Sequence, residues 1–215
     1  LGDVYKRQLL TYGMPPALTA ATGVDALTHA IESCVSRKAT KLTIDFSLRA
    51  AGRLARFLPV AFASPDDAEA RRECLLGSLE AGIAFTNSSV ALVHGMARPL
   101  GAKFGIPHGV SNAVLLEAIM RFSLPGAPER YARLAEAMGA VPAGTPLETA
   151  RAGLGIVSRL VRELHIPRLC DLLSREALDA QLGVMVREAV ASGSPANNPR
   201  PTSPEEIASL YGEAF

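Results

Sequence analysis

Three of the four histidines in this sequence stand in segments whose residue types and spacing suit metal binding. His29 follows Asp25 by four residues. If the segment is helical, both side chains project from one face, with their Cβ atoms about 5 to 6 Å apart. A carboxylate and an imidazole at that spacing can reach a single ion.

Two further imidazoles can join this pair. His94 lies in a long apolar segment, and His108 follows Pro107 after a glycine-containing loop. A chain reversal at that loop would bring the two rings together. With Asp25 and His29 they offer one carboxylate oxygen and three imidazole nitrogens, a set that favours Fe(II) or Zn(II). Helical bundles commonly build metal sites from side chains on facing helices.

Each of these residues also has an ordinary structural interpretation. Asp25 and His29 can belong to a solvated helix face together with Glu32. A histidine in an apolar helix, such as His94, is more often hydrogen-bonded within the core, and His108 can be a loop residue. Spacing alone leaves both interpretations open.

The elements that must position these side chains are predicted to be helices. Helical periodicity recurs along most of the chain, and no alternating β-branched run is bounded by turn residues, so the predicted fold class is all-α. The first helix should begin after Pro15-Pro16 and run to about Ser36. One face of this helix is apolar and contains Val24, Leu27, Ile31, Cys34 and Val35. The opposite face carries Asp25, His29, Glu32 and Ser36.

The same periodicity predicts the remaining helices over about 40–58, 68–101, 109–120, 128–138, 147–164, 174–190 and 204–213. Pro59 is expected to end the second helix. The segment 68–101 becomes apolar nearly all round, which is typical of a helix in the centre of a bundle. Ser203 is expected to cap the last helix, with Pro204 at its first position.

Composition excludes several classes of function. The 215 residues are 48% hydrophobic, enough for a real core, and 22 basic residues balance 21 acidic ones. The chain therefore has no large net charge that would attract it to nucleic acid or to an anionic membrane. The three cysteines, Cys34, Cys74 and Cys170, fit no disulfide framework, and no membrane span or signal peptide is evident. We expect a soluble cytoplasmic protein with small-molecule and protein partners, and a homo-oligomer is left open.

Four stretches carry a resemblance to a known family. They are TAATGVDALTHAIE (19–32), ALVHGMARPLGA (91–102), PHGVSNAVLL (107–116) and NPRPTSPEEIASLY (198–211). These resemble the signature segments of the iron-containing (group III) alcohol dehydrogenases, from about Gly13 to the end of the chain. The resemblance implies a helical bundle like the C-terminal domain of the iron-containing alcohol dehydrogenase and dehydroquinate synthase-like fold.

In that family an N-terminal α/β domain binds NAD(P), and an all-helical C-terminal domain holds a divalent metal, usually Fe(II). The resemblance implies metal ligands at Asp25 and His29 in DALTH, at His94 in VHGMA and at His108 in PHG. Phe85 matches an aromatic residue that in the family lies beside the nicotinamide and the substrate. Core packing is an alternative role for Phe85.

Arg98 departs from the family pattern, which commonly reads HGMAH, with a second histidine that is implicated in catalysis. Arginine stays protonated at any working pH and cannot shuttle a proton, but its planar fork binds carboxylates and phosphates. We hypothesise that Arg98 favours anionic substrates or contacts the cofactor phosphates, while proton transfer runs through water. An arginine that serves solubility or oligomer contacts is the alternative.

A nucleotide-binding loop is missing from these residues, because no GxGxxG segment follows a predicted strand. We expect residues 1–12 to be a truncated or non-native stub, with a frayed arm as the alternative for residues 1–8. We expect residues 13–215 to form the helical metal-binding catalytic domain, without its NAD(P)-binding partner domain. The chain alone should then have little or no dehydrogenase activity.

The resemblance implies reversible interconversion of an alcohol and an aldehyde or ketone, with NAD(P) as the hydride carrier and the metal polarising the substrate oxygen. A non-catalytic helical metal-binding remnant or interaction module is the competing class. A metal-dependent hydrolase fits the ligands but not the motifs.

Overall fold

Ten α-helices and three short 3-10 turns make up the secondary structure of residues 9–215, the part of the chain that this computed structural model describes. No strand occurs among them, so the all-α prediction is confirmed. The helices are α1 (Pro16–Val35), α2 (Lys41–Ala63), α3 (Ala68–Ser88), α4 (Leu92–Phe104), α5 (His108–Ser123), α6 (Pro128–Ala137), α7 (Pro146–Glu163), α8 (Leu169–Leu172), α9 (Arg175–Ala191) and α10 (Pro204–Glu213). The 3-10 turns are Leu9–Thr11, Leu124–Gly126 and Ser194–Asn197. Residues 1–8, which hold most of the predicted stub, lie outside the described residues.

Helix α1 forms as its sequence predicts. Pro16 occupies its first turn, where the missing N–H has no intrahelical partner to lose. Its apolar face is buried, and the helix packs against α2, α3 and α5. Helices α1 and α3 run side by side in the same direction. Near their starts, Arg71 Nη1 donates to Thr19 Oγ1, and near their ends, Ser88 Oγ donates to the Ser33 carbonyl oxygen.

The prediction that Pro59 ends the second helix is wrong. Helix α2 continues through Pro59 to Ala63. A proline this close to the end removes one backbone hydrogen bond, and burial of its neighbours offsets that loss. Leu58 packs closely on Gly23 of α1, and Ala61 is fully buried.

The predicted single helix over 68–101 is also wrong. It consists of α3 and α4, which are bent by 102° relative to each other. The chain turns at Ser89, whose φ of 66° is left-handed. The first turns of α4 are mostly buried, with Arg98 exposed, whereas α3 leaves Leu79 and Ile83 exposed. The apolar stretches AGIAF (81–85) and VALV (90–93) outweigh the polar run TNSS (86–89) between them in a periodicity argument, although that run is a local signal of the break.

The later helices agree with prediction to within a few residues, and the short helix α8 was not predicted. The Ser203 hydroxyl caps α10 by accepting from the Glu206 N–H, as expected. Helix α10 in turn supports α4, because Tyr211 donates its hydroxyl hydrogen to the Met96 carbonyl oxygen over 2.6 Å. In the described part of the chain no single helix meets the length and hydropathy needed to cross a membrane. The bent pair of α3 and α4 meets them only when the two are taken together.

Candidate metal centre

Three helices bring the predicted ligands together. Asp25 and His29 project from one face of α1, His94 lies in the first turn of α4, and His108 is the first residue of α5. One ligand atom each of Asp25, His29 and His94 lies within 4.8 Å of the others. The break between α3 and α4 makes this possible, because it turns the start of α4 towards α1.

His108 lies at the rim of this group. Its ring centroid is 5.4 Å from that of His94, and its Nε2 is 3.7 Å from Asp25 Oδ1. Its side chain is 51% exposed, whereas the His94 side chain is only 3% exposed. His108 is therefore the most accessible of the four predicted ligands, and it marks the open side of the centre.

The interpretation of Asp25, His29 and Glu32 as a solvated helix face is wrong. Glu32 is 3% exposed, and the ring of His29 stacks on one ring and lies tilted against another. Its centroid lies 4.3 Å from that of Phe85 and 4.4 Å from that of His94. The polar face of α1 is thus directed into the protein.

The nitrogens of His94 show that the residues fit a metal ion. Nδ1 hydrogen-bonds Glu32 Oε2 over 2.7 Å. Nε2 is buried and has no hydrogen-bond partner among the described residues, although Asp25 Oδ1 lies 3.5 Å away. A buried polar atom without a partner is costly. A divalent cation coordinated by Nε2 and Asp25 would remove that cost.

Burial and mutual charge shift the pKa values of the group. Burial, aided by the charge of His94, lowers the pKa of His29 to about 4. Burial also acts to lower the pKa of His94, but the carboxylates of Asp25 and Glu32 outweigh it and raise that pKa to about 9. For Asp25, burial acts to raise the pKa, and the neighbouring histidines, His94 foremost, overcome it and lower the pKa. At neutral pH, His29 is neutral and offers a lone pair, while a metal must displace a proton from His94.

Two supporting residues escaped the sequence argument. Glu32 was placed on the polar face of α1 but given no role. Asn112 was not singled out. Its Nδ2 donates to Asp25 Oδ1 over 2.6 Å and lies 3.1 Å from His108 Nε2. Helical spacing could have indicated both, since Glu32 follows His29 by three positions and Asn112 follows His108 by four.

Phe85 and Arg98 lie on opposite sides of the break. The ring of Phe85, on α3, is nearly parallel to that of His29, with an interplanar angle of 19°. Arg98 follows His94 by one turn on α4 and is exposed. Its Nη1 donates to Ser194 Oγ over 3.1 Å, so the guanidinium is held by the 3-10 turn Ser194–Asn197 and not by a predicted ligand.

Comparison with known proteins places this geometry in context. Residues 19–215 match the model of a family described as "Fe-containing alcohol dehydrogenase family, C-terminal". The chain is 42% identical to the lactaldehyde reductase of Escherichia coli (strain K12) over 205 residues, which cover 94% of this chain and 52% of that protein. It is 40% identical to the 1,3-propanediol dehydrogenase of Klebsiella pneumoniae over 209 residues, which cover 96% and 53%.

A solved 1,3-propanediol oxidoreductase superposes with a TM-score of 0.93 at 39% identity, over 97% of this chain and 54% of the other. The chain thus spans about half the length of the curated relatives it matches.

Proposed function

The chain belongs to the iron-containing alcohol dehydrogenase family, and from that membership we propose that it is the metal-binding part of an NAD(P)-linked dehydrogenase that interconverts an alcohol with an aldehyde or ketone. The observation that carries the proposal is the convergence of Asp25, His29 and His94 around a buried imidazole nitrogen that has no other partner among the described residues. The names of the two relatives support a small alcohol or aldehyde as the substrate.

Asp25, His29, His94 and His108 would hold the metal, which we propose to be Fe(II), with Zn(II) compatible with the same ligands. A divalent cation held there would act as a Lewis acid on the substrate oxygen and would supply several kcal/mol of charge stabilisation. His108 lies on the open side of the group, so substrate would approach from there.

The chain's own side chains would shape the rest of the site. Asn112 orients the Asp25 carboxylate by donating to Oδ1. Phe85 covers one face of His29 and would exclude water from it, and we propose that it also borders the nicotinamide. Arg98 cannot accept a proton at working pH, so proton transfer would run through water, and its remaining N–H donors would bind a carboxylate of the substrate or a cofactor phosphate.

Hydride transfer depends on a nicotinamide held close to the substrate carbon, and that positioning accounts for a large part of such catalysis. The sequence contains no GxGxxG segment, and the described residues 9–215 contain no strand. A polypeptide of these residues alone should therefore bind metal and show little or no dehydrogenase activity. Robust NADH-linked turnover by this polypeptide would contradict that proposal.

Metal content tests the site itself. Protein purified anaerobically should contain close to one equivalent of iron or zinc by elemental analysis, and His94→Ala combined with His108→Ala should abolish it. His165→Asn is the matched control, because His165 lies outside the group, edge-on to Phe62, and its left-handed φ of 54° suits asparagine. Wild-type protein without metal would favour a non-catalytic helical module.

Arg98 is tested in the complete enzyme by comparing wild type with Arg98→His on neutral and on carboxylate-bearing aldehydes. A loss confined to the anionic substrates, seen in kcat/KM, is expected if Arg98 binds their carboxylate. An equal change on both classes would exclude the substrate role.

A further inference from the structure

The carboxylate of Glu32 is buried and uses both of its oxygens. Oε1 accepts the Val93 backbone N–H over 2.5 Å, and Oε2 lies 2.7 Å from His94 Nδ1. The two partners are neighbours in the first turn of α4, whereas Glu32 belongs to α1. A carboxylate is costly to bury unless it is hydrogen-bonded, and here the two bonds supply that compensation.

The start of α4 depends on this contact. Its N-cap residue is Ala91, which has no side chain that can accept a hydrogen bond. The first N–H groups of a helix have no intrahelical partner, and a negative charge near them is favourable. Glu32 therefore caps α4 from another helix, at the point where the chain has just turned through 102°.

We propose that Glu32 is a positioning residue that sets the metal affinity of the centre by holding His94 with its Nδ1–H bonded and its Nε2 aimed towards Asp25. The inference rests on the proposed metal-binding function. An imidazole whose Nδ1 donates to a carboxylate presents the lone pair of Nε2 for coordination. In this chain Nε2 is the nitrogen without another partner among the described residues, and it lies 3.5 Å from Asp25 Oδ1.

Capping and positioning can be separated by Glu32→Gln. A glutamine amide has the same shape but offers one acceptor and one donor. Its oxygen can still accept from Val93 N–H, but its NH2 group then meets the Nδ1–H of metal-bound His94, and two donors face each other. A residue that only caps α4 would tolerate this change, whereas a positioning residue would not.

The experiment is a calorimetric titration of the metal-free chain with zinc at pH 7.5, with circular dichroism and thermal melting as controls of the fold. We expect Glu32→Gln to bind zinc about 10- to 100-fold more weakly than wild type, as is usual for loss of a partner of a metal-bound histidine. Glu148→Gln is the matched control, because Glu148 also caps a helix, α7, through the Thr145 N–H. Its zinc affinity should equal that of wild type.

If folded Glu32→Gln binds zinc with an affinity within twofold of wild type, the positioning role is overturned and the metal site still stands. Failure of the wild-type chain to bind zinc would instead overturn the metal site and this role together. A second measurement does not depend on the variant's folding: in zinc-loaded wild type, nitrogen-15 NMR should show His94 with a slowly exchanging hydrogen on Nδ1. Zinc on Nδ1, or an Nδ1 without hydrogen, would overturn the proposal.

Discussion

Asn197 donates from its side-chain amide to the Val90 carbonyl oxygen over 2.9 Å, although the two residues are 107 positions apart in the sequence. The same amide donates to Ser89 Oγ over 3.1 Å. Both contacts join the 3-10 turn Ser194–Asn197 to the break between α3 and α4. Because His94 lies in the first turn after that break, the C-terminal part of the chain helps to set where its imidazole lies.

Asn197→Ala should destabilise the protein by about 1 to 3 kcal/mol, since it leaves the buried Val90 carbonyl oxygen without this donor. It should also weaken zinc binding, because the start of α4 loses a support. Urea unfolding and a zinc titration measure the two effects. Asn87→Ala is the control, since among the described residues the exposed Asn87 amide donates only to Ile83, within its own helix. Equal stability of the two variants would show that Asn197 does not hold the break.

Asn112→Ala should leave the fold intact and reduce zinc affinity by about 10-fold or more, because Asp25 Oδ1 loses the donor that orients it. Ser111→Ala is a neighbouring control, since the Ser111 hydroxyl is buried but donates to the Ile106 carbonyl and not to a predicted ligand. A zinc affinity reduced equally in both variants would indicate a general loss of packing in α5.

Gly109→Ala should disturb the centre through the backbone. A Cβ at Gly109 would lie 2.4 Å from the Ala21 carbonyl oxygen, so α5 must move away from α1, and His108 away from Asp25. We expect a loss of about 1 to 3 kcal/mol in stability, as in other overpacked sites, and weaker zinc binding. In contrast, a Cβ at Gly155 meets nothing within 4 Å beyond its chain neighbours and the backbone of its own helix, so Gly155→Ala should stabilise α7 by about 0.5 to 1 kcal/mol. Thermal melting of the two variants should give shifts of opposite sign.

Thiol reactivity should separate the three cysteines. Burial raises the pKa of Cys34 and of Cys74 to about 12, well above pH 8, so few molecules carry either thiolate at that pH. Cys170 in the short helix α8 should therefore account for the fast phase with a disulfide reagent. Cys170→Ser should remove that phase, and unfolding in urea should expose the other two thiols. A fast phase that survives Cys170→Ser would contradict this assignment.

The sequence by itself determined the features that depend on near neighbours along the chain. Periodicity predicts the all-α fold, Pro16 begins α1 because its first turn needs no N–H, and Ser203 caps α10 through a residue three positions away. The four-residue spacing of Asp25 and His29 likewise places both on one helix face, because the pitch of a helix is a local property.

Only the tertiary structure decided the features that depend on distant contacts. Pro59 stays within α2 because Leu58 packs on Gly23, and the chain breaks at Ser89 where Asn197 reaches it from the C-terminal part. That break brings His94 to Glu32 and Asp25. It also buries the Glu32 carboxylate, which the helical pattern of α1 left free to face solvent. These partners are between 35 (Gly23 and Leu58) and 108 (Ser89 and Asn197) positions apart, and they meet through packing and hydrogen bonds. No local pattern of residue types encodes which distant residues will be partners.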